Sequence, residues 1–274
     1  MSALTGTRSA TGMRKPSQTA PQPTRAVRQR VPDTPGQHPL WLSALLHLLP
    51  GMALSVFVVA LHSGGVDPLF ALLLGIGVVI TPLELGYLAV YAKRTTGSWS
   101  PFNAVDYTTR FKVRQLLRLA ILPALWMLVL VAISMGALDE RLADSLFGWM
   151  PSAITDMATP DNDASMSGGT ATASVIAFFV FNGLLGPITE EMYFRGHLLP
   201  RIDRYGRGAP VLETLMFTLY HFHSPWRYPA IFLGFLPATW MAWRKRSLWV
   251  SLTAHLIINN VFILMFVAAL LRDG

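Results

Sequence analysis

Not one of the 274 residues is cysteine, which excludes disulfides, a thiol nucleophile and thiolate metal sites. Charge is scarce as well. Asp, Glu, Lys and Arg make up 14% of the chain against 52% for hydrophobic residues, where a soluble domain carries about 25% charged residues. The apolar residues come in long blocks and not at amphipathic spacing, so the chain reads as an integral membrane protein. Several hydrolase signatures are missing too. There is no His-Glu-x-x-His, no Asp within an apolar block that would build an aspartyl dyad, and no Gly-x-Ser-x-Gly.

What is present divides into distinct stretches. Residues 1–39 are rich in Thr, Pro, Ser, Gly and Arg and poor in large apolar residues, the composition of a disordered tail. The first apolar run starts near Leu40 and extends about 23 residues, beyond the roughly 15 of a signal-peptide core. Seven apolar segments follow, at 40–62, 69–92, 116–137, 171–195, 209–223, 228–243 and 248–271. The expected fold is all-α, a polytopic membrane bundle of about seven transmembrane helices. The fifth and sixth segments are short for a span and are candidates for a re-entrant path. Pro50, Pro82, Pro123, Pro187 and Pro237 are expected to kink their helices. The organisation is then a basic tail (1–39), three N-terminal helices (40–137), an acidic exterior loop (138–170) and a C-terminal helical core (171–271).

Lys and Arg set the orientation. With the N-terminus inside, the tail, 93–118, 195–207 and 244–246 hold 19 of the 22 basic residues. Only Arg141, Arg227 and Arg272 remain outside. The chain is therefore expected to be cytoplasmic at its N-terminus and multi-pass in the cell membrane.

Against this background the polar residues inside apolar blocks stand out, because a charge at the bilayer centre costs about 2.5–3.5 kcal/mol on insertion scales. His47 and His62 read as packing or helix-end residues, and Glu84 as a structural carboxyl within reach of a neighbouring helix or of Trp or Tyr donors. The later set is harder to dismiss. In "GPITEEMYFRG", Glu191 and Arg195 are one turn apart and can pair, which leaves Glu190 pointing about 100° away. "FTLYH" sets Phe217 one turn before His221, and "HLIIN" sets His255 one turn before Asn259. Counted from the basic ends, the three helices bring these groups to a similar depth, about 14–20 Å in at 1.5 Å per residue.

Glu190-Glu191-x-x-x-Arg195, Phe217-x-x-x-His221 and His255-x-x-x-Asn259, in that order, resemble the CPBP family of CAAX proteases and bacteriocin-processing enzymes, also called Rce1-like or Abi. The resemblance covers about 171–270. It implies an intramembrane endopeptidase in which a glutamate activates water near the membrane. Glu190, free of Arg195, suits the base; His221 suits a partner for the water; His255 and Asn259 suit donors to the oxyanion. Glu191, Arg195 and Phe217 support them. The expected partners are a membrane-delivered peptide or protein substrate and the lipid bilayer, with no nucleic acid, and the expected location is a bacterial inner membrane. A metal-free mechanism is favoured. A divalent ion such as zinc remains an alternative, with Glu190, His221 and His255 as its three ligands. Two other readings stay open: a non-catalytic scaffold or bacteriocin self-immunity protein of the same family, and a proton-coupled transporter.

Overall fold

The computed structural model describes residues 35–134, 137–155, 173 and 175–273. The expected tail up to residue 34, and the part of the expected exterior loop from 156 to 170, lie outside them. The described residues form helices α1 (Leu40–Ser63), α2 (Pro68–Thr96), α3 (Val113–Ser134), α4 (Ala137–Phe147), α5 (Ser152–Thr155), α6 (Val175–Tyr205), α7 (Gly208–Tyr220), α8 (Tyr228–Lys245) and α9 (Leu248–Asp273). Among these residues no strand forms, and one isolated bridge joins Thr108 to Ser247.

Around an apolar core, the surface is rich in large apolar side chains and a set of polar and charged ones is buried. Leu49, Val56, Val78, Leu122, Val129, Ile133 and Leu264 are exposed, while Ser43, His47, Glu84, Glu191, Arg195, Glu213, Thr239 and Ser251 are buried. Apolar outside and polar inside is the arrangement that lipid selects, so the chain is a multi-pass membrane protein. Five helices, α1, α2, α3, α6 and α9, are long and apolar enough to cross a membrane. The short fifth and sixth segments become α7 and α8, with 13 and 18 residues. At 1.5 Å per residue α7 is about 20 Å long, short of a hydrocarbon core of roughly 30 Å. The two helices form a hairpin that leaves from Arg207 and returns to Arg246. Because it ends on the side where it began, it leaves the orientation of α9 unchanged whatever depth it reaches.

Four stretches meet at the basic end. The His38 N–H donates to the Arg201 carbonyl, Asp106 N–H to Gly196, Thr109 N–H to Arg246 and Leu248 N–H to Tyr107. Side chains tie the same end: Gln37 Nε2 donates to the Pro200 carbonyl, and Arg246 pairs with Asp203 at 2.8 Å. Burial, helped by the Arg201 guanidinium, holds the His38 imidazole down at about 4. At the opposite end α4 and α5 cover the hairpin tip. Trp226 is buried with Ala143 and Ile154, and Arg227 pairs with Asp139 at 2.9 Å. Reporter fusions after Arg114 and Arg207 should report cytoplasm, and a fusion at Asp161 should report exterior. A cytoplasmic signal at Asp161 would invalidate this helix order.

Two prolines reshape the helices that lead to the site. Pro82 and Pro187 are each preceded by a π-helical stretch, Ile76–Ile80 and Phe178–Leu185. Proline brings no N–H for the carbonyl four residues back and its ring crowds that carbonyl; a wider turn relieves the crowding. Ahead of Pro187 the freed carbonyls find other donors: Asn260 Nδ2 donates to Gly183 at 3.1 Å and Asn259 Nδ2 to Asn182 at 2.8 Å. Ahead of Pro82 the Ile76 carbonyl accepts both the Thr81 N–H and, at 2.8 Å, Thr81 Oγ1. One close approach also fixes α1 against α7: a Cβ on Gly51 would stand 1.9 Å from the Tyr220 carbonyl oxygen, so only glycine allows this contact.

Candidate active site

The site lies where α6 changes shape. Gly186–Glu190 is α-helical and Glu191–Leu198 is π-helical, so the two adjacent glutamates fall on a junction and point to different neighbours. Glu191 faces inward and is fully buried. Its Oε1 lies 3.4 Å from Arg195 Nη1 and 3.1 Å from His255 Nδ1, and its Oε2 accepts from Ser251 Oγ at 2.5 Å. The expected pair with Arg195 is present. Glu191 also orients His255, since a carboxylate can only accept and the hydrogen therefore sits on Nδ1.

Arg195 is the hub of the buried charges. Besides Glu191 it reaches Glu213 Oε1 at 3.3 Å and Thr239 Oγ1 at 3.2 Å, and its guanidinium lies 3.9 Å from the centre of the Phe217 ring. The motif phenylalanine thus supplies a π-face to the arginine. Glu213 escapes a sequence reading that looks only at Glu84, Glu190, Glu191 and Arg195. The signal was available: Glu213, Phe217 and His221 recur at intervals of four on α7. Ser251 was equally legible, one turn before His255.

Glu190 is separate from this cluster. Its Oε1 accepts from the Tyr220 hydroxyl at 3.3 Å, and its Oε2 is 3.9 Å from His255 Nε2. Its side chain is 13% exposed, whereas that of Glu191 is 0%, so Glu190 is the acid that a small molecule can reach. His255 is wedged between the two glutamates, one on each ring nitrogen, with Phe235 packed edge-on at 4.8 Å.

His221 ends α7. Its Nδ1 donates to the Phe217 carbonyl at 2.9 Å, and its ring packs edge-on against Phe217 and Tyr220 at 4.8 and 5.0 Å. Nε2 is left to accept. His221 pairs with no carboxylate among the described residues. His223 is not on the helix. Continuing α7 through residue 223 would turn it away from His221, but α7 stops at Tyr220 and the turn that leads to Pro225 brings the two rings to 5.5 Å. Replacing each with Ala separates them. His221→Ala should lower cleavage at least ~100-fold if it handles the attacking water, and His223→Ala should lower it less than ~10-fold. The reverse order in a peptide-cleavage assay would exchange their roles.

Asn259 spends one amide hydrogen on the Asn182 carbonyl and keeps the other. Among the described residues no three His, Asp or Glu side chains surround a common point at ligating range; His255 Nδ1 is held by Glu191, which leaves its Nε2 facing Glu190.

Residues 172–261 match the family model described as Type II CAAX prenyl endopeptidase Rce1-like. No curated protein and no solved structure matches the chain. The matched stretch begins just ahead of α6 and ends within α9, so it contains both glutamates, the Arg195 hub, His221, His255 and Asn259. The stretch similar to the Type II CAAX prenyl endopeptidase Rce1-like model thus holds every one of these groups, within a polytopic membrane protein.

Proposed function

We propose that the protein is an intramembrane endopeptidase that hydrolyses a peptide bond with a water activated by Glu190. One observation carries the reading: Glu190, the accessible acid, faces His255 Nε2 at 3.9 Å, while the buried Glu191 holds His255 from its other nitrogen at 3.1 Å. A water bonded to Glu190 lies within reach of the same histidine. Glu190 takes its proton as the oxygen attacks the scissile carbonyl, and then gives a proton to the leaving amine. Held from Nδ1 by Glu191, His255 donates from Nε2 to the oxyanion once that nitrogen carries a proton. Asn259 has one hydrogen free for the same purpose, and His221 Nε2 accepts from the water. Glu191, Arg195, Glu213, Phe217 and Ser251 hold these groups in place.

The family match supports a CAAX-like substrate, a membrane-delivered chain cut near its C-terminus. The basic asymmetry of the loops supports an N-in protein, and the Arg- and Ala-rich chain suits a bacterial inner membrane. The experiment is a comparison of C-terminal peptides from the membrane and secreted fractions of the host, wild type against Glu190→Ala. Chains lengthened in the variant identify substrates. Identical termini in both strains would favour the scaffold reading.

A further inference from the structure

The hairpin of α7 and α8 has a second face. Glu213, Phe217 and His221 of α7 turn toward the site. Val211 and Leu215 each stand two residues before Glu213 or Phe217, nearly on the opposite side of the helix, and both are exposed. On α8, Leu233 is exposed as well. At the basic end the two ends of the hairpin enclose a cavity of about 300 Å³, lined by Arg207, Trp240, Trp243 and Arg244. Its aromatic wall is held in place: Trp243 Nε1 donates to Asp203 Oδ1 at 2.6 Å, and the Trp240 ring packs on Trp243 at 5.6 Å. The acids of this corner are already engaged, Asp203 with Arg246 at 2.8 Å and Asp106 with Arg201 at 2.7 Å. Arg207 and Arg244 are exposed and, among the described residues, pair with no acid.

Two uncompensated guanidiniums on one cavity repel each other, and an anion between them relieves the repulsion. Tryptophan is the side chain that settles at the headgroup level of a bilayer, and basic pockets between membrane helices are where anionic headgroups sit. The surface leading away from the cavity is apolar. At 1.5 Å per residue, Val211 and Leu215 lie ~6 and ~12 Å from Arg207 along α7, and Leu233 lies ~17 Å from Arg244 along α8. Charge at the end with apolar surface running inward from it is the profile of a lipid.

We propose that the cavity of Arg207, Trp240, Trp243 and Arg244 binds the phosphate of one anionic glycerophospholipid, whose acyl chains lie on the exposed apolar face of α7 and α8. The planar guanidinium can hold a phosphate through two N–H donors at once. A free phosphate ion offers the same charge but nothing for Val211, Leu215 and Leu233, so the occupant is the lipid. Once bound, its phosphate joins Arg207, where the hairpin begins, to Arg244 in the last turn of α8, and braces the element that carries Glu213, Phe217 and His221. The inference does not depend on what Glu190 and His255 catalyse.

The test uses the full-length protein in a neutral detergent, with bound lipid counted by native mass spectrometry. Phosphatidylglycerol should occupy a single tight site per chain and bind at least about tenfold tighter than phosphatidylcholine, and inorganic phosphate should not displace it. An arginine at an anionic lipid surface contributes about fivefold in affinity, so Arg207→Gln and Arg244→Gln should each weaken phosphatidylglycerol about fivefold, and the double variant about twentyfold. Lys112→Gln combined with Arg118→Gln removes the same charge from exposed positions at the same end, outside the cavity, and should weaken it less than about twofold. If the double variant does not fold, the two single variants carry the comparison. Equal affinity for the two lipids would remove the charge recognition. A control pair as damaging as the cavity pair would replace the site with diffuse attraction, and displacement by inorganic phosphate would make the ligand a soluble anion. Each of these results would overturn the proposal. Thermal unfolding gives a further check: phosphatidylglycerol should raise the melting temperature of the wild type more than that of the double variant, and an equal rise in both would also overturn it.

Discussion

Glu190→Gln should yield a protein that inserts and purifies like wild type and cleaves at least ~100-fold more slowly, since general-base catalysis contributes 10²–10⁴. The substitution keeps the shape of the side chain and its contact with the Tyr220 hydroxyl, which donates to Glu190 Oε1 at 3.3 Å. It leaves Arg195 undisturbed, because that guanidinium pairs with Glu191 and Glu213. What it removes is the proton acceptor beside His255. The check is the rate of release of a C-terminal tripeptide from a farnesylated CAAX peptide, with protein yield and melting behaviour measured on the same preparations. A variant that cleaved as fast as wild type would take the base away from Glu190.

Arg195→Leu should fail in the opposite way. Both Glu191 and Glu213 are fully buried, and each meets Arg195 within 3.4 Å. Removing the one cation leaves two acids uncompensated inside the bundle and exposes the Phe217 ring to an empty space where the guanidinium lay at 3.9 Å. Breaking a buried pair costs about 3–5 kcal/mol, a large part of the roughly 5–15 kcal/mol that holds a domain together. The expected result is a sharp loss of monodisperse protein in detergent. Arg195→Lys should recover only part of it, since an ammonium reaches one acid and lacks the planar fork that spans Glu191, Glu213 and Thr239. Normal yield and thermal stability for Arg195→Leu would show that the hub is not what holds the domain. The contrast between the two variants, one stable and silent and the other unstable, separates the accessible acid from the buried one.

The sequence made the helices, the basic face and the three motif turns legible, because each depends on neighbours a few residues away. An apolar run is long or short by itself, and Glu191 and Arg195 share a face through local spacing alone. Contacts between helices were harder to read. Glu213 meets Arg195 only because α7 packs on α6, and nothing in "VLETLMF" names its partner, although its interval of four from Phe217 marks its face. Tyr220 was equally hidden, one aromatic among many, and it reaches Glu190 only across a helix boundary. The place of His223 depended on where α7 ends. Pro225 is the local clue, since the stretch before a proline leaves the helix, and with the end at Tyr220 the two histidines come together. Asn259 shows a further limit. Its interval from His255 points to a shared task, and one of its amide hydrogens goes besides to the Asn182 carbonyl, freed where α6 widens before Pro187. That need arises from a proline on another helix about 70 residues away in sequence, and spacing along α9 cannot reveal it.

The most direct test of the account is to follow the oxygen of the attacking water. Purified wild-type protein in lipid vesicles is incubated with a farnesylated CAAX peptide in water enriched in oxygen-18, with and without a strong chelator, beside Glu190→Gln. The account predicts release of a tripeptide, one heavy oxygen in the newly formed carboxylate, the same rate with chelator present, and neither product nor label from Glu190→Gln. No cleavage by the wild type, or labelled product from Glu190→Gln at the wild-type rate, would contradict it; activity lost to the chelator and restored by zinc would replace the metal-free water with a metal-bound one.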